Sequence, residues 1–249
     1  SILENRQKYI KVHAAEFLIW TGHSEVVLKE FLKEETLHSA VPQYRVVIWR
    51  VLAQAEKDPA NKKKWLNKIY DAYNDMDGPD RVHASEALGK LKQPVGILFP
   101  ETTAKTLMSS QRNLYLYGLW ASSFGSDVLM NKNREKFLDV ALTDTNVIAR
   151  RISTFILRQL KGLSVSQWDR LASASLYLDK SDETYQTYLN TSFVTAPANA
   201  DSKKLSLIKK LIVKDVKNYP VGSRTELSQV LAEKGTKKHL KILNGFLND

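Results

Sequence analysis

Along this chain apolar residues recur at the three-to-four-residue spacing of a helix, and strand-type alternation is nowhere sustained. In Tyr9–Trp20 the residues Ile10, Val12, Ala14, Ala15, Phe17, Leu18 and Ile19 cover most of a helix circumference, which predicts a helix buried between neighbours. Gly22 closes it, and Ser24 is placed to cap SEVVLKEFLKEE, whose apolar stripe is narrower and whose other face is charged. The alternation then returns. Pro42 opens PQYRVVIWRVLAQAE, Asp58-Pro59 breaks it, and KKKWLNKIYDAYND follows with Trp65, Leu66, Ile69 and Tyr73 on one stripe. The turn DGPD at 77–80 puts Asp80 in position to cap RVHASEALGKL. Further helices are predicted over 102–110, 111–124, 127–142, 146–160, 166–178, 182–193, 203–219, 224–233 and 237–246.

A buried helix followed by a half-exposed one, repeating roughly every 30–40 residues, predicts an all-α fold of stacked helix pairs: a right-handed α-solenoid of about six pairs. Each pair cannot bury its apolar face alone, so neighbours share one core. Ala14, Ala15, Ala84, Ser85 and Ala87 allow close helix approach, and Leu18, Leu52 and Leu88 read as equivalent core positions. The expected organisation is one unit over 1–249, with Thr195–Asp201, which contains Pro197, as the best place for a hinge.

The segment DRVHASEALGKL resembles the HEAT-like repeat, in the variant found in bilin-lyase-type proteins, through Arg81, Val82, Ala84, Glu86, Ala87, Leu88, Gly89 and Leu91. KVHAAEFL at 11–18 matches it less fully, and NVIARRISTFIL at 146–157 keeps only the apolar frame. Over about residues 9–92 the runs KVHAAEFLIWTGH, YRVVIWRVLAQAE and DGPDRVHASEALGKL also look like the HEAT-like modules that accompany sulfatases in glycan-degrading bacteria. That resemblance implies an exported or periplasmic accessory role in the use of polysaccharides, sulfated ones included. The repeat motif itself speaks to architecture and hardly to chemistry.

Composition narrows the classes. With 43% hydrophobic and 26% charged residues the chain is neither disordered nor membrane-like, and 10 Gly and 7 Pro are few for a turn-rich β fold. It contains no Cys, which excludes disulfides and thiol chemistry. No apolar run is long enough to span a bilayer, and SILENRQKYIK lacks the basic leader and apolar segment of a signal peptide, which leaves the compartment open. The net charge of +10 favours anionic partners: an acidic glycan, an acidic protein surface, or nucleic acid.

The octets KVHAAEFL and RVHASEAL share a His-x-x-Glu, His13/Glu16 and His83/Glu86, on one helix face each. Such pairs ligate iron or manganese in di-metal bundles, and HEAT-like deoxyhypusine hydroxylases hold two irons through adjacent His-Glu in four repeats. Here VH stands where HE would stand, and only two repeats carry the His. Aligning Leu18, Leu52 and Leu88 sets Arg50 between Glu16 and Glu86 instead, a ladder that neutralises the carboxylates without a metal. His13 and His83 then read as helix-packing residues. No cofactor is expected.

No nucleophile elbow, phosphate loop or dinucleotide fingerprint is present. Most of Trp20, Trp49, Trp65, Trp120 and Trp168 should be core, yet Arg112, Tyr115, Tyr117 and Trp120 in QRNLYLYGLW form the best aromatic cluster for a ligand surface. Basic residues recur at 62–64, 150–151, 203–204, 209–210 and 237–238, with Lys203, Lys210, Lys214 and Lys217 on one stripe opposite Leu205, Ile208, Leu211 and Ile212. These read as a groove that tracks sulfate or phosphate, or as solvated faces. The expected function is a non-catalytic binding or scaffolding module. The alternatives are a HEAT-like DNA base glycosylase, which needs a groove acid flanked by Trp and Arg, or another nucleic-acid-binding solenoid, and a metal-dependent enzyme using the His-x-x-Glu pairs.

Overall fold

The computed structural model describes residues 8–214, 216 and 221–246. Residues 217–220, Lys217 among them, thus lie outside the described part of the helix expected over 203–219. Among the described residues every regular element is a helix: the fold is all-α. The chain divides into two compact units, Ser1–Leu129 and Met130–Asp249.

The first unit contains α1 (Lys8–Trp20), α2 (Ser24–His38), α3 (Tyr44–Ala55), α4 (Pro59–Asn74), α5 (Arg81–Lys90), the single turn α6 (Val95–Leu98), α7 (Pro100–Leu107) and α8 (Arg112–Ser122). Helices α1, α3, α5 and α8 touch in succession, while α2 packs on α1 and α3, α4 on α3 and α5, and α7 on α8. Because α3 meets α1, α2, α4 and α5, nearly all of its residues are buried, the cationic Arg50 included. The main contacts of helix α1 are with α2 and α3. Its apolar residues therefore do not all find cover: Val12 and Ala15 are buried, whereas Ile10, Phe17 and Trp20 lie exposed on one stripe. The all-round burial expected for this helix holds for one side only.

Two close approaches set the spacing at α8. A Cβ on Gly89 of α5 would stand 2.6 Å from the Trp120 ring, and one on Gly118 would stand 2.3 Å from Thr106 of α7. Glycine at both sites lets the backbones meet.

Local chemistry departs from expectation at two helix starts. Helix α2 begins at Ser24 itself, with His23 at the cap and no side-chain bond to the helix amides. Asp80 precedes α5 but does not cap it. Its carboxylate instead accepts from the Gln43 backbone N–H and from Arg45 Nε at 2.6 Å. Gln43 has φ 66° and ψ −53°, and the Tyr44 N–H donates to the Pro42 carbonyl at 2.7 Å. This is the rare positive-φ γ-turn, a strained conformation, and Asp80 holds it in place. By contrast, Asp58 caps α4 by accepting from the Asn61 N–H at 2.8 Å.

The second unit contains most of α9 (Asp127–Thr143), then α10 (Val147–Leu160), α11 (Val165–Tyr177), α12 (Tyr185–Val194), α13 (Ser202–Leu211), α14 (Val221–Lys234) and α15 (Leu240–Phe246). Side chains cap three of them: Asn146 caps α10, Ser164 with Gln167 forms a capping box on α11, and Asp201 caps α13. Helix α12 is the centre, touched by α10, α11, α13 and α14, and all ten of its residues are buried. Most of its polar side chains are tolerated there because they are paired, although the buried Gln186 Oε1 has no hydrogen-bond partner among the described residues. Thr187 and Asn190 donate to Glu226 at 3.0 and 3.2 Å, and Gln186 donates to Asn190. The Ser192 carbonyl accepts from Trp168 Nε1 at 2.7 Å. The 195–201 stretch connects α12 to α13 inside this unit.

Candidate functional site

In the first unit, successive helices bring the repeated carboxylates beside one another's counter-charges. Arg50 Nη1 on α3 donates to Glu16 Oε1 on α1. Glu86 on α5 takes its direct partner from its own helix, Lys90 Nζ at 3.0 Å, and feels Arg50 through its field. Burial alone would raise the pKa of Glu16, but the Arg50 guanidinium, with a hydrogen bond from His13 and the charge of Lys90, holds it well below the usual carboxylate range. Glu86 is likewise lowered against its burial, by Lys90 and then Arg50. The row is self-neutralised.

The two histidines differ in setting. His13 is largely exposed, with Nδ1 3.4 Å from Glu16 Oε2, and the buried Nδ1 of His83 has no hydrogen-bond partner. Glu16 is already committed to Arg50, and no group of three or more His, Asp or Glu side chains converges as a ligand set among the described residues.

The aromatic cluster separates. Arg112 lies over the Tyr115 ring at 5.6 Å, at the start of α8. Tyr117 joins the charged row: burial first, and the nearby Glu86 carboxylate second, push its hydroxyl pKa up. Trp120 is 1% exposed and packs on Gly89, so it belongs to the core and not to a ligand surface. Trp49, Trp65 and Trp168 are also buried, while Trp20 is exposed.

A concavity lies among the described residues of the second unit. A cleft of about 780 Å³ is floored by Phe193, Pro197 and Leu205 and ringed by Lys209, Lys234, Lys237 and Lys238, with His239 beside them. Each part is placed by local structure. Helix α12 stops at Val194, the Pro197 connection turns the chain, and the Asp201 cap fixes α13 so that Leu205 and Lys209, four residues apart, share a face. Lys234 sits in the last turn of α14, where the helix dipole favours a cation. The following 3-10 turn, Lys237–His239, is closed by the Thr236 N–H donating to His239 Nδ1 at 2.9 Å. Two other lysines of this unit are paired, Lys161 with Glu233 and Lys204 with Asp169 at 2.5 Å. The four around the cleft make no ion pair with a described acid.

A smaller cleft in the first unit, about 400 Å³, is lined by Arg45, Trp49, Lys68, Asp71, Asp75 and Asp80. Its cations are committed. Arg45 pairs with Asp80, and Lys68 pairs with Glu35 at 2.5 Å while lying over Trp49 and Trp65.

The Lys209–Lys210 and Lys237–Lys238 doublets and the 195–201 turn are visible in the sequence, but nothing in their spacing says that they meet. Comparison with protein-family models, curated proteins and solved structures finds no match.

Proposed function

We propose that this chain is a non-catalytic binding module for an anionic partner, an acidic glycan or an acidic protein surface. In this reading the helix pairs form a right-handed α-solenoid of the HEAT-like kind. The observation that carries the proposal is the set of four lysines, without an acidic partner among the described residues, around one apolar floor. Unpaired cations gathered in a concavity keep their field for an incoming anion, whereas the solvated lysines of an ordinary surface are scattered.

Two further observations support it. The succession of contacts α1–α3–α5–α8, each backed by an intervening helix, is what stacked helix pairs would make. The carboxylates of the first unit are held ionised by Arg50 and Lys90, and a carboxylate so stabilised is a poor general base. An accessory role in polysaccharide use rests on the resemblance of residues 9–92 alone.

The test is retention on an immobilised sulfated polymer in a rising salt gradient, with metal analysis of the purified protein alongside. The proposal expects retention that weakens with salt, as screening requires. Passage through the column at low salt would reject it, and stoichiometric iron, manganese or zinc lost on replacing His13 and His83 would favour the metal-enzyme alternative.

A further inference from the structure

Resting on the anion-binding reading above, we infer that the second-unit cleft takes a short sulfated or carboxylated sugar chain, with one anionic group set against each of Lys209, Lys234, Lys237 and Lys238. Three features select this ligand class.

The cations come from three separate segments, α13, the end of α14 and the 3-10 turn, and stand around the floor. A single phosphate would use one converging pair of donors. Charges distributed around a rim match a ligand whose anionic groups are spaced along it.

All four cations are lysines, and no arginine lines the cleft. The guanidinium fork is the group that recognises a planar carboxylate or phosphate bidentately, while an ammonium acts as a point charge that tolerates varied geometry. Sulfates and carboxylates at variable ring positions call for the second kind.

The floor offers no platform for a nucleobase. Its one aromatic residue, Phe193, is 7% exposed, and the remainder is Ala196, Pro197, Ala198 and Leu205. Single-stranded nucleic acid sites stack bases on open aromatic rings. An aliphatic floor, extended by the methylene stems of the lysines, instead suits the C–H faces of sugar rings. A cleft of about 780 Å³ falls within the size range of ordinary small-ligand sites.

The experiment is isothermal titration of the intact chain with a heparin-derived tetrasaccharide, an oligo-dT of similar charge and a polyglutamate peptide, each at low and at physiological salt. The tetrasaccharide should bind tightest. The double variant Lys237→Ala/Lys238→Ala should weaken it by about tenfold, from two charge contacts at a solvent-open site. Lys209→Ala/Lys234→Ala should do the same, and Lys62→Ala/Lys63→Ala in the first unit should leave it unchanged. All these lysines are exposed, so circular dichroism should not move.

If oligo-dT or polyglutamate binds tighter with the same lysine sensitivity, the ligand class is wrong and the anion-binding reading stands. If the tetrasaccharide binds but neither lysine pair in the cleft matters, the site is wrong. If none of the three binds at low salt, the anion-binding reading itself falls.

Discussion

Gln43 holds a strained γ-turn because Asp80, 4% exposed, accepts its amide and braces Arg45. The Gln43 side chain is exposed, so only its backbone matters. Gln43→Gly should stabilise the protein by about 0.5–1 kcal/mol, because glycine adopts positive φ without the Cβ penalty. Asp80→Ala should cost about 2–3 kcal/mol by leaving a strained amide and a guanidinium without their acceptor. Chemical denaturation of both variants checks the pair, and a destabilised Gln43→Gly would remove strain from the account. At Arg50 the expected loss on Arg50→Ala is larger, about 3–5 kcal/mol, since Glu16 and Glu86 lose a shared counter-charge. The sign with pH follows. Glu16 and Glu86 have lowered pKa values in the fold, so their contribution is complete above the ordinary glutamate value of about 4.3 and drains away as pH falls below it. Stability measured from neutral pH into acid should drop less steeply in Arg50→Ala than in the parent.

Helices as elements were legible where burial and periodicity agree. KKKWLNKIYDAYND shows its stripe plainly, and Trp65, Ile69 and Tyr73 are the buried residues of α4. What failed was what depends on partners distant in sequence. Asp80 looked like a cap because a turn and a helix flank it, but an amide 37 positions away competes for its carboxylate and wins. α1 looked buried because periodicity counts apolar positions and cannot count neighbouring helices. The Glu16–Arg50 contact was readable from register, since two matching octets frame it, while the lysine cleft unites segments between 193 and 239 that no repeat connects. The α5–α8 approach yields an element-scale prediction. Gly89→Ala sets a methyl group 2.6 Å from the rigid, buried Trp120 ring, so the helices must part, at about 1–3 kcal/mol. A lowered melting temperature with unchanged helix content is the expected result, and an unchanged melting temperature would mean that the interface yields freely.

At the scale of the whole molecule, no described helix is long and apolar enough to cross a membrane, and the all-α class follows from the same 3.6-residue period that marks each helix. The excess of 37 basic over 27 acidic residues is used unevenly. Arg50, Arg158 and Arg170 are paired with carboxylates, while the cleft lysines meet no acid among the described residues. The uneven burial of the tryptophans has a spectroscopic consequence. Trp20 is 61% exposed, whereas Trp49, Trp65, Trp120 and Trp168 are at most 9% exposed. The indole emission of the native chain should therefore contain one red-shifted component on top of a blue-shifted majority. Iodide, an anion drawn to a protein of net charge +10, should quench the red edge first and leave the remainder bright. Trp20→Phe should abolish that quenchable fraction, giving an optical marker at one surface of the first unit whose loss or shielding can be followed without any label.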